Sequence, residues 1–337
     1  MNVVRQSTAV GSVAAQTDPL RKTLPQTLYG FVVSISGLHQ IAIAALSALL
    51  FIVGTAPLEI QRRIVNATTE GGSYKTIAML ISIYLGLALA EGLIKVWLNI
   101  YRNWVGEVAI RWLRLSIFAA AEGSLSQAPS ASDEGIQLSI VVAEAEPVGG
   151  FVGQAISEPL LQIGILASVI GYMLYLQPLM GLVVAVVFFP QVGFVPLMQS
   201  AINRRVESKI VVMREVSAGI VDAGSAKDHD GIQYARIGEL FSLDMSVYKI
   251  KFSMNFLMNF MMQLGYAGIF ALGGYYVITG KTEIGTVVAF VSGLSKINDP
   301  WGDLVNWYRD LKVTQVKYGL IRDSAQIEVT QASDGSK

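Results

Sequence analysis

The sequence predicts an all-α membrane protein with six transmembrane helices that extend far into the cytoplasm. Of the 337 residues, 53% are hydrophobic and only 15% are charged, whereas soluble domains carry about 25% charged residues. The mean hydropathy is +0.50. Six apolar stretches also recur along the chain, and a helix needs about 20 such residues to cross a bilayer.

The connections between the spans alternate between short turns and long helical segments. The helical pattern continues beyond the second, fourth and sixth spans, to Ile117, Val216 and Ile321. The first span is expected to end near Pro57. The short turns are predicted at 57–73, 177–178 and 279–283. The spans are predicted at 28–53, 74–93, 148–176, 179–198, 252–278 and from Ile284 onwards.

The distribution of positive charge predicts the orientation. The short turns and the residues beside them hold only Arg62, Arg63, Lys75 and Lys281 of the 25 lysines and arginines. Because cytoplasmic loops hold the excess of basic residues, both termini are predicted to be cytoplasmic, in a multi-pass protein of the bacterial inner membrane. The ~25 extra residues on the second or fourth helix would reach roughly 35–40 Å beyond the bilayer.

Composition also bounds the domains and the chemistry. Residues 28–323 are predicted to form the six-helix domain, preceded by a flexible cytoplasmic arm (1–27) with room for an elbow helix and followed by a cytoplasmic tail (324–337). The arm has no apolar core and is not a signal peptide. Zero formal net charge gives no case for nucleic acid, and zero cysteines exclude thiolate chemistry. The two histidines, His39 and His229, predict no metal site.

One short motif invites an ATP-binding interpretation. Gly280-Lys281-Thr282 matches the end of a phosphate-binding loop. That loop also needs a glycine five residues earlier, so that backbone N–H groups can be directed at the phosphates, and this position is Tyr275. The sequence therefore predicts that the chain holds no cofactor here.

Four stretches carry further motifs. Gly280, Gly285 and Pro300 mark the most specific of them, at the entrance to the sixth span. The four stretches are "APLEIQRRIVN" (56–66), "AIRWLRLSIF" (109–118), "REVSAGIVDAG" (214–224) and "ITGKTEIGTVVAFVSGLSKINDPW" (278–301). Together with the six spans they resemble the transmembrane domain of ABC exporters, a fold also found in multidrug and lipid flippases.

The resemblance implies a permease that works as a homodimer or heterodimer in the lipid membrane. The family's ATPase domain would begin near Gln326, but the sequence ends in "TQASDGSK" and holds no Walker or signature motif. ATP and Mg are therefore expected on a separate ATPase subunit; truncation and the absence of any ATPase are the alternatives. The sequence departs from the family at Val221 and Asp222, where a lysine is usual.

Two other functions stay open at this stage. A proton-driven secondary transporter of the peptide-uptake type would use membrane carboxylates with raised pKa values, for which Glu91, Asp299 and Asp303 are available. A scaffold or assembly factor would explain the missing ATPase equally well. A neighbouring reading frame that encodes a lone ATPase would favour the exporter.

The sixth span carries the strongest candidates for a substrate pathway. Lys296, Asp299 and Asp303 are spaced i, i+3, i+7 and share one helix face. Charges at membrane depth point to function, unless this helix enters the membrane late and leaves them in cytoplasmic water. The pathway candidates are Lys296, Asn298, Asp299, Trp301, Asp303, Glu91, Met258 and Met262.

Three further features carry two interpretations each. Glu91 and Lys95 form an i, i+4 pair, structural or substrate-binding. The fifth span has a methionine stripe beside three amides, for adaptable binding or for ordinary packing. His39 and Gln40 interrupt the first span and are expected to face other helices. The stripe comprises Met254, Met258, Met261 and Met262, and the amides are Asn255, Asn259 and Gln263.

Two polar breaks occur at the far ends of the long helices. They cover residues 122–135 and 223–231 and are rich in Ser, Gly and Asp, which is typical of turns. They are either solvated loops or coupling helices that dock on a cytoplasmic ATPase. The coupling candidates are Ser225, Lys227, Asp228, Asp230, Ser130 and Asp133.

Overall fold

A computed structural model describes residues 24–124, 144–222 and 230–334. A helical segment at 144–152 leads through a turn at 153–156 into the third long helix, and the described residues contain no strand. The predicted all-α class is therefore confirmed for this part of the chain. The six long helices are α1 (Leu28–Thr69), α2 (Tyr74–Ser124), α3 (Ser157–Leu176), α4 (Pro178–Asp222), α5 (Asp230–Ile278) and α6 (Ile284–Asp334).

Five of these helices have the length and composition of membrane spans. They are α1 to α5, and they give the chain the character of an integral membrane protein. α6 begins with an apolar run, but Lys296, Asn298 and Asp299 follow within its first sixteen positions. These polar residues lower its hydropathy below that of the other five helices.

The predicted end of the first helix is wrong. α1 continues through Pro57 to Thr69, so the connection to α2 covers only residues 70–73. Proline removes one backbone hydrogen bond, but Glu59 pairs with Arg62 and Arg63 at i, i+3 and i, i+4, and such pairs stabilise the helix beyond the proline. The backbone break lies instead at Ser36 (φ −131°, ψ 20°).

Two other boundaries differ from the prediction. The third helix was expected to run unbroken from Val148, but residues 153–156 form a turn before α3. α6 continues beyond Ile321 to Asp334, because residues 322–334 contain neither proline nor glycine. The short turns at 177 and 279–283 are confirmed.

Glycine in the left-handed region ends two of the helices. Gly71 (φ 74°) follows α1 and Gly280 (φ 68°) follows α5. After α5, the N–H of Lys281 donates to the carbonyl of Tyr276 at 2.8 Å and that of Gly280 to Val277 at 3.1 Å, which is the Schellman pattern. Gly280 of the Gly-Lys-Thr motif is thus a helix cap.

The described part of the chain divides into two compact units. The first takes residues from 1–57, 82–168 and 299–337, with a core around Phe31, Leu98, Leu113 and Val152. In its α6 segment, burial raises the pKa of Tyr318 to about 12. The hydroxyl therefore stays protonated and donates to the carbonyl of Pro25 at 2.6 Å.

The second unit takes residues 58–81 and 169–298. Its core includes Met173, Met180, Ile269 and Phe290, each almost fully buried. α4 and α5 form an antiparallel hairpin within it. Three polar contacts join the two helices along their length: Arg205 Nε to Ser246 Oγ (2.7 Å), Lys209 Nζ to Asp244 Oδ1 (2.7 Å) and Arg236 Nε to Glu215 Oε2 (3.3 Å).

Candidate functional site

A polar cluster in the first unit joins three helices. We call Arg102, Glu158, Gln162 and Asp303 the α3 cluster. Arg102 on α2 makes an ion pair with Glu158, and the two side chains are only 10% and 16% exposed. Gln162 Nε2 donates to Glu158 Oε1 at 2.7 Å and to Asp303 Oδ2 on α6 at 3.3 Å. The amide thus bridges two carboxylates.

Close backbone contact brings Arg102 to Glu158. A Cβ placed on Gly153 would lie 2.0 Å from the carbonyl oxygen of Arg102, and one on Gly106 would lie 3.3 Å from the Cα of Gly150. Only glycine permits this approach. The turn at 153–156 then directs the first residues of α3 towards α2, where Glu158 meets the guanidinium.

The surrounding charges make the cluster negative. Asp303 interacts electrostatically with Glu158, Asp299, Lys95 and Arg102. Three carboxylates therefore face two cations. Arg102 is already bound to Glu158, so the exposed carboxyl of Asp303 has only the hydrogen bond from Gln162 among the residues that the structure describes.

The structure places the other pathway candidates along α6 and α2. Asp299 and Asp303 are exposed, and Lys296, Asn298 and Trp301 are half-buried. The α6 backbone is helical throughout this stretch.

The Glu91–Lys95 pair on α2 stays a prediction, and both residues lie in the described part of the chain. A Cβ on Gly54 would lie 3.3 Å from Glu91 Oε1, so Glu91 is directed towards α1. Lys95 interacts electrostatically with Asp303 on α6.

The methionines and amides of α5 lie on different faces. The four methionines, including Met258 and Met262, are half-buried, whereas Asn255, Asn259 and Gln263 are exposed. The half-burial favours the packing interpretation of the methionine stripe over the binding one.

His39 and Gln40 both contact other helical segments. His39 Nδ1 lies 2.7 Å from the Tyr101 hydroxyl, and its ring meets Trp104 edge-on at 5.2 Å. Gln40 is 4% exposed, and its Nε2 donates to the carbonyl of Val152 at 2.9 Å. Their predicted position between helices is confirmed.

A second polar cluster, in the second unit, was not predicted from the sequence. We call it the turn cluster: Glu59, Arg62, Asn66, Tyr172 and Glu283. Glu59 accepts hydrogen bonds from Arg62 (2.9 Å) and from the Tyr172 hydroxyl (2.7 Å), and Arg62 also donates to Glu283 at 3.0 Å. Asn66 donates to Glu283 and accepts from the N–H of Gly285 at 2.8 Å. These bonds hold α1, α3 and the start of α6 together.

We expect Glu59→Ala to destabilise the turn cluster by about 1.5–3 kcal/mol, the usual loss for hydrogen bonds to a charged group. The change leaves the half-buried Tyr172 hydroxyl and Arg62 without their main acceptor. Thermal unfolding in detergent measures the effect. The control Glu70→Ala, at an exposed turn residue, is expected to change stability by less than about 0.5 kcal/mol. Equal effects of the two variants would contradict this role for Glu59.

The coupling candidates cannot be located. Ser130, Asp133, Ser225, Lys227 and Asp228 lie outside the described residues. Asp230 begins α5, and the description does not extend to its side chain. In the described ranges, no group of three or more His, Asp or Glu side chains has the arrangement of a metal site.

Comparison with protein-family models and with curated proteins gives no relative from which a role could be transferred. No family model matches the chain, and no curated protein matches it either. The function proposed below therefore depends on the geometry of the described residues and on the resemblance of the local motifs.

Proposed function

We propose that this chain is the transmembrane permease subunit of an ATP-driven exporter or flippase of the ABC type. It works as a dimer in the bacterial inner membrane, with both termini in the cytoplasm and six spans, α6 being the sixth. ATP and Mg bind to separate ATPase subunits. The chain itself supplies the substrate pathway and the arms that transmit motion.

The observation that carries this proposal is the length of the paired helices α4 and α5. They contain 45 and 49 residues, whereas about 20 suffice to cross the bilayer. The remaining 25–30 residues extend each helix by roughly 35–45 Å. Arg205, Lys209 and Arg236 join the two helices along this extension, so the hairpin can move as one rigid arm.

A rigid arm of this length converts a small push at its tip into a tilt of the spans. Closure of the ATPase subunits would supply the push at residues 223–229. The α3 cluster lies on α2, α3 and α6, and relative movement of these helices would change the environment of Asp303. Mixed charge at this point fits an amphipathic substrate.

The test reverses two charges in the connection between α4 and α5 and at the first residue of α5. Asp228→Lys with Asp230→Lys is expected to leave expression intact, because surface substitutions change stability by less than about 0.5 kcal/mol. Retention of the ATPase in pull-down and ATP-driven flux in vesicles should both fall, since charge reversal at an interface rim slows association. The control is Glu70→Lys, a single charge reversal in the 70–73 turn.

The α3 cluster favours one second candidate, a proton-driven transporter. Its support is the Gln162 bridge between Glu158 and Asp303, since carboxylates at membrane depth mark proton pathways in transporters. Normal flux in the double lysine variant, together with loss of flux when a protonophore collapses the gradient, would reject the ATP-driven proposal in favour of this one.

A further inference from the structure

The outward face of α5 carries three amides in its predicted membrane span. Asn255, Asn259 and Gln263 are spaced i, i+4, i+8 and are exposed. None of the three makes a side-chain hydrogen bond to any residue in the described ranges. An amide that faces hydrocarbon without a partner is costly, because nothing in the lipid can accept or donate its hydrogen bonds. This face therefore needs a polar partner.

The opposite face of α5 already has its neighbours. A Cβ on Gly265 would lie 2.7 Å from Leu294 Cδ2, and one on Gly268 would lie 2.6 Å from Val183 Cγ1. α4 and α6 thus cover the inward side, along which Ile269 is fully buried. The amides are directed away from both helices and remain uncovered within the second unit.

The same face continues as an apolar stripe towards the α4–α5 tip. Phe252 and Phe256 are 64% and 69% exposed, and the stripe extends back at spacings of three and four residues. It covers the 27 residues from Tyr234 to Phe260, or about 39 Å of helix. We call these residues and the three amides together the α5 face. The exposed apolar residues are Tyr234, Ile237, Phe241, Met245, Tyr248, Phe252, Phe256 and Phe260.

This continuity restricts what can cover the α5 face. Lipid would cover Phe256 and Phe260 but would leave the amides unpaired. Lipid also cannot reach Tyr234 or Phe241, which lie on the predicted cytoplasmic extension, 18 and 11 residues before Phe252. A small solute in a water-filled pathway would satisfy the amides without covering 39 Å of apolar surface. Another helix that extends beyond the membrane can do both.

We propose that the α5 face packs against the α5 face of a second copy of this chain. The inference deepens the proposed function, because the dimer is part of it. A two-fold interface brings each residue near its own equivalent, so the surface must be self-complementary. Amides meet this condition because each has both a donor and an acceptor. Residues 252–278 contain no charged side chain, so two copies meet without repulsion there.

Amide pairs between helices also fit the energetics of membranes. Interhelical hydrogen bonds from Asn and Gln contribute to helix association in lipid. The stacked rings of Phe256 and Phe260, with centroids 6.0 Å apart, offer a flat apolar surface on both sides of Asn259. The amides then set the register while the aromatic side chains supply the contact area.

The experiment is disulfide scanning in native membranes. The chain contains no cysteine, so single cysteines at Asn255, Asn259 and Gln263 report only on the α5 face. On mild oxidation, a disulfide-linked dimer should form at least with the cysteine that lies nearest the point where the two α5 helices cross. Cysteines at Leu257 and Met261, which lie towards the half-buried side of the same helix, should not. Equal cross-linking at all five positions, or at none, would overturn the proposal.

A second measurement uses substitution without cross-linking. Asn255→Leu with Asn259→Leu should weaken self-association in detergent roughly tenfold, through the loss of two interhelical hydrogen bonds. The matched control is Asn99→Leu, at an exposed amide of α2, which should leave the dimer unchanged. Phe241→Ser should weaken the dimer if the stripe is covered, and should have no effect if it faces water.

The outcomes separate this inference from the proposed function. A dimer that persists in the Asn255→Leu/Asn259→Leu variant without cross-links at Asn259 would place the interface elsewhere and overturn the inference, leaving the ATP-driven exporter intact. Cross-linking at Asn259 in a protein whose substrate flux does not depend on ATP would support the α5 interface and reject the ATP-driven exporter. A monomer at all concentrations in native lipid would overturn the inference and the dimeric exporter together.

Discussion

Arg102→Leu is expected to cost about 3–5 kcal/mol of stability, the largest effect of any single substitution in the α3 cluster. Arg102 and Glu158 form an ion pair whose side chains are 10% and 16% exposed. Removing one partner of a buried pair leaves the other charge without compensation, and this loss far exceeds the net contribution of the pair. Among the residues that the structure describes, the Glu158 carboxylate would retain only the side-chain hydrogen bond from Gln162.

Two comparisons isolate the cause. Arg102→Leu combined with Glu158→Leu removes both charges and should recover most of the stability, because apolar residues often replace a buried ion pair at little cost. Arg114→Leu is the control on the same helix. Arg114 pairs with Glu146 at 3.1 Å, with side chains 44% and 70% exposed, and an exposed pair contributes at most about 1 kcal/mol.

The measurement is thermal unfolding of the three variants and the parent protein in one detergent. Arg102→Leu should unfold at the lowest temperature, and the double variant should lie close to the parent protein. If the double variant is as unstable as Arg102→Leu, the loss comes from packing around the arginine stem. If Arg114→Leu is equally unstable, burial is not the cause.

Local sequence patterns predicted the helices and turns of this fold well where the feature depends on residues within a single helix. Composition and length identified the all-α class, and Gly280 marked a turn because only glycine readily adopts the left-handed conformation there. The prediction that α1 ends near Pro57 was wrong, although it used the same kind of local argument. A proline usually ends a helix, but the ion pairs of Glu59 with Arg62 and Arg63 stabilise α1 beyond it.

Contacts between distant segments were the part that the sequence could not predict. Glu59 and Tyr172 are 113 residues apart and Gln162 and Asp303 are 141 apart. Nothing in the spacing of either pair indicates a contact. Asp303 was nevertheless found, because a carboxylate in an apolar stretch is unusual in itself. Gln162 was missed because a neutral amide in an apolar helix is a much weaker signal.

The α5 helix shows which features helical periodicity predicts and which depend on neighbouring helices. Its sequence places the methionines beside Asn255, Asn259 and Gln263, and helical periodicity alone assigns them to adjacent faces. Which face is buried depends on α4 and α6, through close approaches at Gly265 and Gly268. The sequence alone does not show that the three amides are exposed, because their exposure depends on where α4 and α6 pack.

Gly153→Ala is expected to destabilise the protein by about 2–3 kcal/mol, the second large effect. The added Cβ would lie 2.0 Å from the carbonyl oxygen of Arg102 and 2.8 Å from its carbonyl carbon. Both are backbone atoms of α2, so no side-chain rotation relieves the clash. Either the 153–156 turn or α2 must shift, and overpacking of this kind usually costs 1–3 kcal/mol.

A neighbouring glycine provides the control. Gly150 lies in the helical segment at 144–152, and a Cβ placed there meets no atom within 4 Å. Gly150→Ala should therefore stabilise the protein by about 0.5–1 kcal/mol, because alanine has the higher helix propensity. Opposite signs for two identical substitutions three residues apart would place the effect in the contact with Arg102. Equal destabilisation by both would mean that the segment needs glycine for flexibility instead.

Combining Gly153→Ala with Arg102→Leu tests whether the close backbone contact at Gly153 and the Arg102–Glu158 ion pair are energetically coupled. If the close approach at Gly153 is what brings Arg102 to Glu158, then Gly153→Ala already weakens the ion pair. Arg102→Leu should then cost less in the Gly153→Ala background than in the parent protein, because substitutions that share a contact are not additive. The difference should exceed 0.5 kcal/mol, the usual limit for independent sites. Strict additivity in thermal unfolding would show that the guanidinium finds Glu158 without help from the 153–156 turn.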